Sequence, residues 1–575
     1  MINFFQACNL AKSYWFSEEK WKAWGMLIVI VFLNLGMVFI NVWLNQWQAN
    51  FYNVIENYNQ QGFLNALAQF SLASACFLLI AGYAVYLQMM LQISWRRWMT
   101  QRYMSNWLEN ETYYRMNLLQ NIDINNPDNP DQRISEDIDL FVHSTLSLSL
   151  GLLRSIVSLI SFVTVLWQLS GILQLSLGNY QIILPGYLVW AALGYSLLGT
   201  YLTARIGNPL IKLEFNQQRY EADFRFNLMR IRENSESIAF YRGESQEKVN
   251  FLERFQKVVN NYWEMMRVNR QLIWFTSGYS QISIIFAILV ASPRYFSNQI
   301  NLGQMFQISN AYGQVHTALS FIIDSFDRIA QWRAVVNRLN QFSASMEKIK
   351  RIRNQQKDFL LTYKSQNSLT VKKLNVFTPE GQLLVGNFTL EIKAGDCLLI
   401  TGVSGCGKST LLRTMAGIWP FCKGQVIKPK DQKVMFLPQR PYIPLSNLRQ
   451  ILLYPGSSKP VTDQVIEESL RDCQLAFLVD KLNQEADWGQ ILSNGEQQRL
   501  SFVRVMLQRP DWVFLDEATS ALDEETEKKM YQLLRQRLPK TAVISIGHRS
   551  ALADYHERKL ELQGGRDWGI VQLIR

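Results

Sequence analysis

Gly402-Val403-Ser404-Gly405-Cys406-Gly407-Lys408-Ser409-Thr410 satisfies G-x-x-x-x-G-K-[ST] at every fixed position. The run Cys397–Ile400 before it is apolar, and Thr410 to Ala416 after it is helix-prone. This strand, loop and helix context is what a phosphate-cradling loop requires. The glycines let backbone N–H groups turn inward without Cβ clashes, and the new helix adds its positive N-terminus. Lys408 would reach the β/γ-phosphates, and the Ser409 hydroxyl would hold Mg²⁺. The chain is therefore expected to bind ATP with Mg²⁺, which leaves the question of what the ATP drives.

A chain of 575 residues is too long for one compact core, so two or more domains are expected. Apolar residues make up 48% and aromatics 13%, yet the mean hydropathy is slightly negative. Apolar and charged stretches must therefore be segregated. The net charge of +11 raises nucleic acid as a partner. No zinc-finger or RRM pattern accompanies it, and the arginines concentrate beside apolar spans, so a lipid membrane is the expected partner and nucleic acid is not. Cys8, Cys76, Cys397, Cys406, Cys422 and Cys473 have no CxxC spacing and read as free thiols in a reducing compartment.

Six apolar segments precede the nucleotide motifs, at Met26–Trp43, Ala66–Met89, Leu146–Leu169, Ile182–Ala204, Leu272–Ala291 and Met305–Ile323. Most reach the roughly 20 residues that a hydrocarbon core demands. The first is preceded by Lys12, Lys20 and Lys22 and followed by no small-residue cleavage site, so it reads as an anchor. The intervening stretches alternate in charge. Leu44–Gly62 and Ser170–Gln181 carry no Lys or Arg and Ser292–Gln304 only Arg294, whereas Arg96, Arg97, Arg102, Arg115 and Arg133 share one loop. Arg205, Lys212, Arg219, Arg225, Arg230 and Arg232 begin the other. By the positive-inside rule both termini and the basic loops are cytoplasmic. These loops are long and helix-prone, and exposing Trp95, Trp98, Tyr103, Trp107, Tyr113 and Tyr114 together would be costly, so the membrane helices are expected to continue into the cytoplasm. In the sixth segment Gln307, Asn310, Gln314, Thr317 and Asp324 fall on one helical face. That stripe suits interhelical hydrogen bonds or a hydrophilic cavity wall, which Gln88 and Gln92 would share.

The charged stretch Glu347–Asp358 separates this half from an α/β half. The expected division is a transmembrane domain at 1–345, a linker at 346–367 and a nucleotide-binding domain at 368–575. In the second half Trp512–Leu515 reads as a buried strand that delivers Asp516 and Glu517 at its C-terminal end. Asp516 would bind Mg²⁺, and Glu517 would polarise the attacking water as general base. Gln439 lies between the two motifs and could contact Mg²⁺ and water, while His548 follows the strand Ala542–Ile546 and could orient Glu517. Asp523 follows in Ser520-Ala521-Leu522-Asp523.

Leu492-Ser493-Asn494-Gly495-Glu496-Gln497-Gln498-Arg499 completes the set. Together these motifs resemble, in order, those of the ABC transporter nucleotide-binding domain, whose signature is LSGGQ-like. The resemblance implies an exporter-type fold: an all-α six-helix membrane domain with cytoplasmic helical extensions, followed by an α/β P-loop NTPase domain. It also implies that Ser493 and Gly495 contact the γ-phosphate held by the P-loop of a second copy. Asn494 and Glu496 depart from the family's Gly and Gln and leave the serine and the helix-starting glycine in place. Phe377, about 25 residues before Gly402, is the candidate for stacking on adenine.

The membrane half is similar to the branch of peroxisomal fatty-acyl-CoA transporters and bacterial relatives of the SbmA/BacA peptide-uptake type. The stretches that carry this are Trp95 to Tyr103, Tyr113 to Met116, Asn129 to Ile138, Glu233 to Glu244, Thr378 to Gly381 and Asp487 to Ser493. The chemistry of Asn129-Pro130-Asp131-Gln132 is that of a turn in which Asp131 caps the next helix. The resemblance implies that short helices near Arg133 and Glu236 couple to the ATPase beside Gln439. One membrane half joined to one nucleotide half, whose site needs a second copy, is expected to work as a homodimeric ATP-driven transporter. The short N-terminus without an organellar targeting stretch points to a bacterial inner membrane, and no substrate-binding protein is implied. The solute would be large and hydrophilic or amphipathic, such as a peptide or cobalamin, with a fatty acyl-CoA or lipid as the alternative cargo. An ATP-gated regulator or channel-like protein that does not pump is the alternative function.

Overall fold

The computed structural model describes residues 2–120, 129–177, 180–355, 359–456 and 460–573. Two compact units emerge: Met1–Ser105 with Asn129–Phe342, and Asn106–Asp128 with Ser343–Arg575.

The first unit is helical. It contains α1 (Ile2–Trp15), α2 (Lys20–Glu56), α3 (Gln60–Leu108), α5 (Pro130–Gln132), α6 (Ile138–Ser170), α7 (Tyr187–Glu233), α8 (Ser235–Tyr241), α9 (Glu244–Phe296), α10 (Leu302–Asp324) and the start of α11 (Phe326–Gln355); α4 (Thr112–Gln120) belongs to the second unit. At about 1.5 Å per residue, the 49 residues of α3, 47 of α7 and 53 of α9 far exceed a hydrocarbon core, so the helices run on past their apolar segments. On these extensions Trp95 and Tyr103 are buried, while Tyr113, after the end of α3, is exposed. α2, α3, α6 and α9 are long and apolar enough to cross a membrane. Among the described residues α7 and α10 are less apolar, because glycines and tyrosines, and in α10 amides, dilute their leucines.

Two local expectations are corrected. The fourth apolar segment does not begin as helix: Ile172–Leu177 and Tyr180–Pro185 pair as antiparallel strands, β1 and β2, and helix starts only at Tyr187 after Gly186. β-branched Ile182 and Ile183, and Leu184 directly before Pro185, favour the extended form. Asp131 is not a cap either, because Asn129 occupies the left-handed N-cap position with Pro130 at the first helical residue.

Asp137, 1% exposed, ends the π-helical turn Arg133–Asp137 that leads into α6. Its carboxylate accepts from Arg133 Nη1 at 2.8 Å and, bidentately, from Arg338 Nε and Nη2 at 2.9 and 2.5 Å. This ties α6 to α11. Of the first basic loop, residues 106–120 group with the second unit.

In the second unit a six-stranded sheet runs in the order Asp567–Gln572, Arg558–Gly564, Cys397–Gly402, Ala542–Ile546, Trp512–Asp516, Val434–Leu437. All neighbours are parallel except the first pair. A four-stranded sheet of Phe359–Lys364, Cys422–Pro429, Ser368–Phe377 and Leu383–Lys393 completes the unit. Phe359–Lys364, inside the expected linker, pairs with Cys422–Pro429. The core between the sheets holds Leu398, Ile400, Phe514 and Ile544, with Leu118 of α4 packed against it. Lys350 of α11 donates to Asn106 and Glu109 at 3.1 and 3.2 Å, which fastens the incoming chain to this unit.

Replacing Asp137 with Ala leaves two guanidiniums uncompensated and should cost about 3 kcal/mol. Thermal unfolding of the purified variant in detergent would register this as a clear drop in Tm, with Arg338→Ala much milder because its guanidinium is partly solvated.

Candidate nucleotide site

The parallel register brings the motifs to one edge. Ile400 pairs with Ile546 and Ile546 with Asp516, so the strand ends before the P-loop, His548 and Glu517 form one row. The P-loop leaves its strand at Gly402, where a Cβ would stand 2.2 Å from the Leu562 carbonyl. Gly407, with φ of +99°, caps the helix Lys408–Ala416, a conformation that L side chains resist. Lys408 is 7% exposed, and its ammonium donates to the Gly402 and Val403 carbonyls at 2.9 Å each. Cys406 is buried, Thr410 half-buried, and Val403, Ser404 and Gly405 form the exposed rim.

Ser409 Oγ donates to Asp516 Oδ1 at 2.7 Å. Burial pushes the Asp516 carboxyl above its usual range, and the Ser409 hydrogen bond and the Arg413 charge oppose this only in part. A half-buried carboxylate beside a serine hydroxyl is an oxygen-only pair suited to a hard divalent cation such as Mg²⁺. Glu517 stands next to it in the left-handed region, φ of +50°, with its N–H donating to the Ile546 carbonyl at 3.2 Å. Such a backbone costs a non-glycine residue about 1 kcal/mol or more, and it turns the carboxylate out of the sheet edge. Gln439 Nε2 donates to Glu517 Oε2 at 3.0 Å, and His548 Nε2 lies 3.5 Å from Oε1. Gln439 and His548 are exposed and Glu517 is half-buried, so all three face solvent.

The signature begins the helix Asn494–Gln508 with a capping box. Ser493 Oγ accepts from the Glu496 N–H, and Glu496 Oε2 accepts from the Ser493 N–H and hydroxyl at 2.9 and 2.8 Å. A Cβ on Gly495 would meet the Ala521 carbonyl at 3.3 Å, which favours glycine there. Asp523 caps the helix Glu524–Arg537 through the Thr526 N–H at 2.9 Å, and these hydrogen bonds hold its carboxyl below the usual range. Phe377 ends its strand half-buried, and its carbonyl accepts from Trp419 Nε1 at 3.0 Å, just past the P-loop helix.

Two participants escaped the sequence reading. Gln498, 3% exposed, donates to the Gln439 carbonyl at 3.1 Å and to Ser520 Oγ at 3.2 Å, and accepts from the Ala521 N–H at 2.9 Å. One amide therefore joins the signature helix to the segments before and after Glu517. The signal was a polar residue on the helix face occupied by Phe502 and Val505. Lys428, 6% exposed, donates to the Ala416 carbonyl at 2.7 Å and so caps the C-terminal end of the P-loop helix. Burial lowers its pKa to about 8.

The expected transport stripe on α10 is divided. Gln307 is buried, and Asn310 donates to Gln48 Oε1 at 3.0 Å. Thr317 and Asp324 instead line a cavity of about 200 Å³ with Thr200, Tyr279 and His316. Gln92 reaches His143 Nδ1 at 3.3 Å.

Comparison with known proteins agrees with these features. The family described as ABC transporter transmembrane region 2 matches residues 10–296, and the ABC transporter family matches residues 385–520. A chloroplastic ABC transporter D family member 2 of Arabidopsis thaliana is 34% identical over 638 residues, spanning 98% of this chain and 87% of that protein. The inner membrane ABC transporter ATP-binding protein YddA of Escherichia coli (strain K12) is 32% identical, spanning 94% of each. The solved structure of a bacterial Atm1-family ABC exporter with ATP bound is similar in fold, with a TM-score of 0.67 at 16% identity over 96% of this chain and 95% of that one.

Because Asp516 is ionised at a desolvation cost, its contribution to nucleotide-free stability is best at low pH and declines as pH rises through the elevated folded pKa. Asp516→Asn should therefore leave the nucleotide-free Tm at neutral pH unchanged or higher. It should also abolish the further Tm rise that Mg²⁺ gives to the wild type with ATP, as measured by differential scanning fluorimetry.

Proposed function

This chain belongs to the ABC transporter family, and from that premise we propose a homodimeric half-transporter that moves a large hydrophilic or amphipathic solute across a bacterial inner membrane by ATP-driven alternating access. The observation that carries the reading is the convergence of Gln439 and His548 on Glu517, beside the Ser409–Asp516 pair. In the hydrolytic step Glu517 takes a proton from water as its oxygen bonds to the γ-phosphorus, and the bond from that phosphorus to the β-bridging oxygen breaks. Gln439 and His548 fix the carboxylate's direction. Lys408 exchanges its loop carbonyls for phosphate oxygens. Ser409, Asp516 and Gln439 would hold Mg²⁺, which neutralises charge on the β and γ oxygens when bound.

A second copy is needed because Ser493 and Gly495 would serve the partner's nucleotide, as the family implies. The exposure of α8 supports the same arrangement: Phe240 is 79% and Tyr241 87% exposed in the protomer. Seating these rings in a groove beside Gln439 of the partner subunit would remove that apolar surface from water and connect ATP-driven closure to the membrane helices. ATP biases the cycle only through its different affinity for the two states. YddA's inner-membrane designation supports the location, and the polar residues of α10 support a cargo with hydrogen-bonding groups.

Glu517→Gln in nanodiscs should lower ATP hydrolysis by about 10² or more, with nucleotide binding retained; a wild-type rate independent of Glu517 would overturn the hydrolytic assignment. Glu236→Lys on α8 should leave nucleotide binding intact and uncouple hydrolysis from accumulation in proteoliposomes. Normal transport and hydrolysis together in that variant would remove α8 from the coupling path.

A further inference from the structure

Arg154 is the only Lys, Arg, Asp or Glu in the six apolar segments. A charge at such a depth is costly in hydrocarbon, so it must meet water, a partner or a ligand. Counted at about 1.5 Å per residue, Arg154 and Asn34 each lie about 12 Å inside their segments. The guanidinium is held there: its Nε and Nη2 both donate to Asn34 Oδ1, the former at 3.2 Å. Asn34 is itself 2% exposed and fixed by its Nδ2 bond to the Ile30 carbonyl at 2.8 Å. An arginine reaching for the bilayer surface would not be tethered at this level.

The surroundings separate this position from the lipid-facing side. His143, Ser147, Arg154, Ser158, Ser161 and Gln168 recur on α6 at offsets of four, seven, four, three and seven, one helical face. None of the six is buried. Leu152 and Ile156, two residues to either side of Arg154, are 43% and 47% exposed and project about 160° away. α6 thus shows one apolar and one polar open face, and its single charge is on the polar one. Gln92 of α3 meets this face at His143. Arg328 of α11 meets it at Ser147, 3.5 Å away, which puts a second guanidinium about 10 Å toward the cytoplasmic end. Among the described residues, neither guanidinium has a carboxylate within ion-pair distance.

We propose that this face of α6, with Arg154 braced on Asn34, is an anion-recognising wall of the transport path, so that the transported solute carries a carboxylate or phosphate. The inference rests on the transporter reading and deepens it by naming a solute chemistry. Guanidinium is suited to this role because it is always charged and offers a planar fork to an oxyanion. With Nε and Nη2 spent on Asn34, Nη1 and the second proton of Nη2 remain for the solute.

Binding of a dansylated undecanoate and of its neutral amide to the full-length protein tests this without ATP, through energy transfer from tryptophan to dansyl. The wild type in maltoside detergent should prefer the acid by about tenfold or more. Arg154→Gln should bring acid and amide to near equality without changing the amide's affinity, and Arg154→Lys should keep part of the preference. Equal binding by the wild type, or an unchanged preference in Arg154→Gln, would overturn the proposal. If Arg154→Gln does not fold, Arg154→Lys decides, since it keeps the charge without the fork: any acid preference sustains the proposal, and none overturns it. A preference present in detergent and lost in phosphatidylcholine nanodiscs would assign the guanidinium to a lipid phosphate and overturn the solute assignment. Failure of the transporter reading would appear separately, as hydrolysis indifferent to Glu517→Gln.

Discussion

The register of three parallel strands is the constraint on which the nucleotide unit depends. Ile400, Ile546 and Asp516 form one row across the sheet, and the chain leaves each strand just beyond that row to place the P-loop, His548 and Glu517. A slip of one residue would turn buried positions outward and move a carboxylate or the histidine by a strand step of roughly 3.3 Å. That displacement exceeds the tolerance of the hydrogen bond from Gln439 and of the approach by His548. The slip is prevented by the fully buried runs Leu398–Ile400, Trp512–Leu515 and Ala542–Ile546, which pack on both faces of the sheet. The mutual placement of these side chains follows from hydrophobic burial.

Most of this unit was legible in the sequence because its motifs are local. A P-loop needs its glycines within a few residues, and a strand that ends in two carboxylates declares itself through apolar neighbours. Gln498 was not legible, since its three partners are contributed by Gln439, Ser520 and Ala521, and only the folded chain brings them together. Lys428 escaped for the same reason: a lysine in a strand gives no sign that it will cap a helix Ala416 ends. The membrane half was legible at the level of long helical extensions and of four apolar spans. Its boundaries were not, as the strand Tyr180–Pro185 shows, because a short apolar run such as Ile182-Ile183-Leu184 suits a strand as well as a helix.

The six apolar segments carry one charged side chain, Arg154, and its setting differs from that of the ion pairs outside them. Asp137 neutralises two arginines where α6 and α11 meet, so the ion pair fixes a helix junction. Arg154 has an amide in place of a carboxylate, and Asn34 orients the guanidinium without cancelling its charge. A structural tie would be cheaper with two neutral side chains, whose hydrogen bond requires no ion in the membrane. Retaining the positive charge beside a neutral partner is what distinguishes Arg154 from Arg133 and Arg338.

The signature helix contains a further opposition between stability and ligand chemistry. Glu496 places a carboxylate on the amide and hydroxyl of Ser493, at the positive end of a 15-residue helix. This capping box stabilises the protomer by about 1 kcal/mol, and it satisfies the same N–H and O–H groups that a γ-phosphate from a second copy would engage. A glutamine at this position would cap the helix as a neutral acceptor; glutamate does so with charge. In the homodimer proposed above, closure would replace one anion by another at the Ser493 N-cap, and the release of Glu496 would be part of the free energy that nucleotide binding must supply. The residue that departs from the family's signature is thus the one that stabilises the start of the signature helix in the protomer.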